Sequence, residues 1–140
     1  MIERDRGAVA VVGSLTSAVP FPGNASYAAS KAALQALVRS LRLELTSTNV
    51  HLGLVLPGFT ATSMTAGMSS LLPAMPADDV ARAVERCLKE RRPLVVPGLL
   101  NKVGLRLFSA APALTDALLV RLPRPGPGRR GRRTLWPRVS

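Results

Sequence analysis

The sequence predicts an α/β fold in which a short parallel sheet is flanked by helices. Three apolar runs bounded by Gly or Pro (Gly7 to Gly13, Val50 to Leu56, Pro93 to Pro97) alternate with two stretches of helical periodicity. Strand, helix, strand, helix, strand is the alternation of a parallel sheet with right-handed crossovers. A chain of 140 residues, 47% apolar and 19% charged, suits one folded domain and is too apolar to be wholly disordered.

Each element has its own signal. Gly7-Ala-Val-Ala-Val-Val-Gly13 is almost wholly apolar, the composition of a strand buried on both faces. Ser14 to Gly23, with Pro20, Pro22 and Gly23, reads as a loop. From about Ser26 to Thr46 the pattern turns helical: Leu34, Leu37, Val38, Leu41 and Leu45 form one face, and Gln35, Arg39 and Arg42 another. Asn24 or Ser26 is placed to cap its start. Val50 to Leu56 is the second strand, stopped by Pro57-Gly58, and a Thr/Ser/Met/Gly-rich stretch runs on to Ala77. Asp78 and Asp79 open a second helix with Val80, Ala81, Val84 and Leu88 inward. Arg91-Arg92 closes it, the favourable polarity at both ends. Pro93-Leu-Val-Val-Pro97 is a third short strand, and residues 101–121 read as one or two helical pieces broken at Pro112. The described fold unit is therefore 1–121, with a Pro/Gly/Arg-rich tail, 122–140, expected to be disordered.

The net charge of +11 belongs mostly to the end of the chain. Residues 121–140 hold seven arginines and no acid, which leaves 12 basic and 8 acidic residues before them, a net of +4. The tail admits three readings: a solvated end, a contact with nucleic acid through charge alone, or a contact with an anionic membrane surface with Trp136 as anchor. No nucleic-acid fold motif accompanies it, so no specific nucleic-acid partner is expected. Leu105, Leu107, Phe108, Leu114, Leu118 and Leu119 are placed either to rest on a membrane or to pack on the sheet or a subunit partner.

Localisation and metal chemistry have weaker signals. The charge-free stretches 7–30 and 45–77 are broken by Pro and Gly, and Met1 to Arg6 lacks a signal-peptide layout. A cytoplasmic protein, with peripheral membrane contact through the tail, is the expectation. The single cysteine, Cys87, excludes an intramolecular disulfide framework and reads as a small buried apolar residue. His51 has no metal-ligand spacing around it and reads as structural, so no metal site is expected.

The chemistry lies in Tyr27-Ala-Ala-Ser-Lys31. Residues four apart share a helix face, and a phenol beside an ammonium gives up its proton more readily. Taken alone, Tyr-x-x-x-Lys reads as a solvated pair on a helix face. Its context is more specific: Ser14 stands 13 residues before Tyr27, at the C-terminal end of a strand, where parallel sheets bind ligands. Pro57-Gly58-Phe59-x-x-Thr62-x-Met64 ends the next strand at that same edge.

Together these residues resemble the C-terminal half of a short-chain dehydrogenase/reductase, over residues 7–65 and onward to about 121. The resemblance implies a partial Rossmann-type sheet lacking the N-terminal dinucleotide-binding half. It implies an NAD(P)-dependent oxidoreductase interconverting an alcohol and a ketone or aldehyde. Tyr27 matches the family's general acid/base. Lys31 matches the lysine that promotes tyrosine ionisation and holds the nicotinamide ribose. Ser14 matches the residue that orients the substrate carbonyl. Pro57, Gly58 and Thr62 match the segment that lines the nicotinamide. NAD or NADP is the implied cofactor, with NADP the favoured of the two, and a homo-oligomer is implied for a full-length member. Met64, Met68 and Met75 fall where the family places its substrate loop, so they read either as contacts to an apolar substrate or as gap-fillers.

The chain departs from the family in lacking a Gly-rich phosphate loop, the cofactor selector after the second strand, an Asn-Asn-Ala-Gly stretch and a further catalytic Asn before Ser14. The expectation is that Met1 is an internal methionine of a longer protein. The alternative is a non-catalytic half-domain that works with a partner chain or through its basic tail. In either case the 140 residues alone are expected to fold poorly and to be inactive, with an unpaired edge on the first strand.

Overall fold

The computed structural model describes residues 1–63, 65 and 74–121. They form β1 (Gly7–Val12), a 3-10 turn (Leu15–Ser17), α1 (Ala25–Glu44), β2 (Val50–Val55), α2 (Ala77–Lys89), β3 (Leu94–Val95), α3 (Leu99–Ala110) and α4 (Pro112–Arg121). The sheet runs β1-β2-β3 with both pairings parallel. Its register sets Gly7 beside Val50 and Val12 beside Val55, so β1 and β2 end level with one another.

Alternation along β2 builds both halves of the core. Leu52, Leu54 and Leu56 face α1 and pack with Val38 and Val96, while Val55 meets Ala83 and Cys87 of α2 together with Val95. Val55 and Cys87 are 0% exposed, which makes β2 the buried centre of a helix–sheet–helix sandwich. Arg42 reaches from α1 to donate through Nε to the Leu52 carbonyl at 3.1 Å.

Several details differ from the sequence expectations. β1 is an edge strand among the described residues, and Val9 and Val12 are exposed, so it is not buried on both faces. On α1 the packed residue is Val38, with Leu34 and Leu45 half-buried, whereas Leu37 and Leu41 are exposed. The apolar stripe of α1 is wider than the one strand face it covers. On α2 the buried pair is Ala83 and Cys87, and Ala81 faces solvent, because the helix lies close enough to β2 that only small side chains fit. Asn24 occupies the N-cap of α1 without a side-chain bond, and Ser26 lies within the helix. The loop after β1 contains the 3-10 turn.

Ends and turns are held by side chains. The Asp5 carboxylate accepts from the Asn49 backbone N–H at 2.7 Å and from Asn49 Nδ2 at 2.6 Å, joining the N-terminal turn to the start of β2. Arg91 donates to the Asn49 carbonyl at 2.6 Å from the far side. The helices α3 and α4 meet at a bend of 113° before Pro112, and Thr115 Oγ1 donates across it to the carbonyls of Phe108 and Ala111. The tail, 122–140, lies outside the described residues, as do Met64 and Met68.

Candidate active site

The C-terminal edge of the sheet collects the residues singled out above. The Gly13 N–H donates to the Val55 carbonyl at 2.8 Å and the Leu15 N–H to the Pro57 carbonyl at 3.0 Å, which carries the pairing beyond both strands and holds Ser14 beside Pro57. Ser14 is buried and caps the 3-10 turn: its Oγ accepts from the Thr16 N–H at 3.2 Å and lies 2.9 Å from Thr16 Oγ1. Ser17 Oγ lies within hydrogen-bond distance of both the Ser14 carbonyl, at 2.7 Å, and the Gln35 side-chain amide, at 2.5 Å, fastening this turn to α1.

The first two turns of α1 bring Tyr27 and Lys31 to the same edge. Lys31 Nζ lies 5.6 Å from the centroid of the Tyr27 ring and donates to the Val12 carbonyl at 3.4 Å. The lysine therefore spans from the tyrosine to the strand end two residues before Ser14. Tyr27 is 37% exposed, so its ring is open to a ligand while its helix is fixed.

Beyond Pro57 the loop is tied by threonines. Thr65 Oγ1 donates to the Thr60 carbonyl at 2.6 Å and accepts from the Thr62 N–H at 3.0 Å; Thr62 itself is exposed. A Cβ on Gly58 would stand 2.7 Å from both Nδ2 and Oδ1 of Asn101, so any side chain here would have to displace the Asn101 amide. Asn101 Nδ2 donates to the Pro97 carbonyl at 2.8 Å. Next to this turn lies an open cavity of about 260 Å³ lined by Phe59, Met75, Asp79, Gly98, Leu99 and Asn101. Met75 borders it through a bridge to Thr60.

Of the residues singled out in the sequence, Ser14 and Pro57 lie beside each other past the ends of β1 and β2, Lys31 reaches the end of β1 with Tyr27 beside it on α1, Gly58 packs on Asn101, and Thr62 is exposed in the following loop and bonded to Thr65. Sequence reasoning missed Asn101, Gln35 and Thr65, which hold the sheet edge in shape. Only Thr65 left a signal, three residues after Thr62 in a Thr-rich loop. Elsewhere, burial pushes the Cys87 thiol above its ordinary range, as suits a packing residue. A nicotinamide end fits here: exposed Tyr27, the Lys31 ammonium and a close-packed glycine turn converge on the edge where parallel sheets bind ligands. For the adenosine end, the sequence contains no Gly-rich strand-to-helix turn.

Comparison with known proteins agrees with this architecture. The family model for short chain dehydrogenases matches residues 1–71. The chain is 29% identical over 127 residues to dehydrogenase/reductase SDR family member 7B of Danio rerio, covering 81% of this chain and 41% of that protein. It is 41% identical over 63 residues to carbonyl reductase family member 4 of Danio rerio, covering 45% of this chain and 27% of that one. A short chain dehydrogenase from Burkholderia cenocepacia, solved in complex with NADP, superposes with a TM-score of 0.75 at 26% identity. That match covers 86% of this chain and 50% of the other. The chain thus spans less than half the length of these curated relatives.

Proposed function

The chain belongs to the short chain dehydrogenase family, and from that premise we propose that it carries the proton-transfer end of an NAD(P)-dependent oxidoreductase acting on an alcohol or a carbonyl compound. One observation supports this above the others: Lys31 bridges the Tyr27 ring and the Val12 carbonyl, next to Ser14. Tyr27 Oη would hold the proton passed to or from the substrate oxygen. Lys31 would keep a positive charge beside the tyrosine ring and tie it to the strand end. The Ser14 hydroxyl would turn from Thr16 to hydrogen-bond the same oxygen. Lys31, the Pro57-Gly58 backbone and Thr62 would hold the nicotinamide and its ribose, and the cofactor, NADP more readily than NAD, would give a hydride to a carbonyl in its reduced form or take one from an alcohol in its oxidised form.

The test is turnover of NADPH or NADH against a series of apolar ketones and aldehydes by the 140 residues supplied with a dinucleotide-binding half, since alone they are expected to be inactive. Tyr27→Phe, which keeps the ring and deletes the proton, is expected to lose at least about a hundredfold in kcat. Equal turnover by the variant overturns the assignment. A second reading is favoured by the edge of β1, which is open among the described residues: a unit that acts only with a partner chain. Its mark is a nicotinamide signal that arises only when a second protein is added.

A further inference from the structure

The α3–α4 pair carries an apolar surface directed away from the core. On α3 the residues that turn inward are Asn101, Leu105 and Phe108, all half-buried. Leu99, Val103 and Leu107 recur every fourth position on the opposite side and are 76%, 46% and 65% exposed. On α4, Thr115 and Leu119 are buried, while Leu114, Leu118 and Val120 are 62%, 47% and 72% exposed. A helix of a soluble globule buries its apolar stripe and turns its polar face out. Here α3 buries Leu105 and Phe108 in part and carries a second apolar stripe outward over three turns.

Charge identifies what fits this surface. Lys102 and Arg106 are exposed, each one position before a residue of the outward stripe, so they flank it along α3. Arg121 ends α4. From Leu99 to the C-terminus the sequence has nine basic residues and one acid, Asp116. An apolar stripe bordered by cations is the pattern of a helix lying in the interface of an anionic bilayer. Neither helix alone has the roughly 20 residues that a crossing needs, at 12 and 10 residues, and the pair is bent by 113° between them.

We propose that the outward face of α3 and α4 docks on an anionic lipid surface. Leu99, Val103, Leu107, Leu114 and Leu118 enter the acyl boundary, and Lys102, Arg106 and Arg121 sit at the headgroups. Leu99 also lines the cavity beside Phe59 and Met75, so the docked face is continuous with the candidate site.

The experiment is flotation of the full chain with vesicles of phosphatidylcholine, with and without 30 mol% phosphatidylserine. The chain is expected to float with the anionic vesicles only. Leu107→Glu combined with Val103→Glu is expected to lower the partition at least tenfold. Lys102→Glu with Arg106→Glu is expected to lower it by about fivefold or more per residue. Both pairs lie on exposed positions, and circular dichroism of each variant checks that the helices persist. As an independent readout, Leu107→Trp in a Trp136→Phe background is expected to shift its fluorescence to the blue on anionic vesicles. Unchanged flotation of the Val103/Leu107 variant, or an unshifted spectrum, overturns the proposal and leaves binding to the arginines of the tail alone. Oligomerisation of the free chain that the same pair of glutamates abolishes, with no flotation, also overturns it, in favour of a second copy as the partner.

Discussion

The Lys31 ammonium stands 5.6 Å from the centroid of the Tyr27 ring while donating to the Val12 carbonyl at 3.4 Å. A cation over an aromatic face is attracted by the ring's electrons, modestly so at an exposed site. The lysine is thereby held at two points, and both matter for a proton-transfer group. One keeps positive charge beside the phenol, and the other fixes helix α1 relative to the end of β1.

Replacing Lys31 separates these effects. Lys31→Met is expected to cost under about 1 kcal/mol in stability, because its bond to Val12 is long and exposed. Turnover by the proposed activity is expected to fall by about a hundredfold or more, since the charge is removed from the tyrosine. Chemical denaturation beside steady-state kinetics checks both. A stability loss as large as the activity loss would make Lys31 a structural residue.

Ser14 is more deeply built in. Its hydroxyl caps the 3-10 turn as well as facing the sheet edge, so Ser14→Ala is expected to cost about 1 kcal/mol of stability. A further loss of about a hundredfold in kcat is expected from the missing hydrogen bond to substrate oxygen. Ser14→Thr, which retains the hydroxyl, is expected to recover most of both in thermal melts and rate assays.

β2 was legible because a strand buried on both faces leaves a short continuous apolar run, as Leu52 to Leu56 does. Pro57-Gly58 was legible because few residues other than Pro and Gly stop a strand so sharply. The inward faces of the helices were less so. Leu37 and Leu41 satisfy helical spacing as well as Val38 does, and periodicity does not say how wide a surface the neighbouring strand offers. Asn101 was unreadable: its role is to fill the space that Gly58 leaves, a contact between residues 43 positions apart with no local pattern. The two edges of the proposed active site therefore differ. The side with sequence motifs was visible, and the side made by packing was not.

Gly53 is a packing position of the same kind. A Cβ there would press on Cys87 Sγ, lie 2.7 Å from the Arg92 carbonyl and 2.9 Å from His51 Nε2. Gly53→Ala is expected to destabilise the chain by about 1–3 kcal/mol through overpacking. Adding Cys87→Ala to it is expected to restore only part of this, because the Arg92 backbone stays in place. Leu54→Ala, which opens a cavity between β2 and α1, is expected to cost about 2–5 kcal/mol. Urea denaturation of the four proteins checks the order.

His51 makes stability depend on pH. Its Nε2 is buried without a hydrogen-bond partner among the described residues. Burial first, and then the Arg91 charge with a smaller part from Arg42, holds its imidazole below the ordinary histidine range; the backbones of Cys87 and Arg92 oppose this in part. The folded state then binds fewer protons than the unfolded chain, whose histidine titrates near about 6.5. Stability is therefore full above that value and is lost as pH falls from it toward the lower folded value. Asp5 and Glu85, both held below the usual carboxylate range by Asn49 and Lys89, add their losses only at more acid pH. Melting temperatures between pH 7.5 and 5.5 are expected to fall for the native sequence and to stay nearly level for His51→Gln. Parallel curves for the two proteins would assign the dependence to another group.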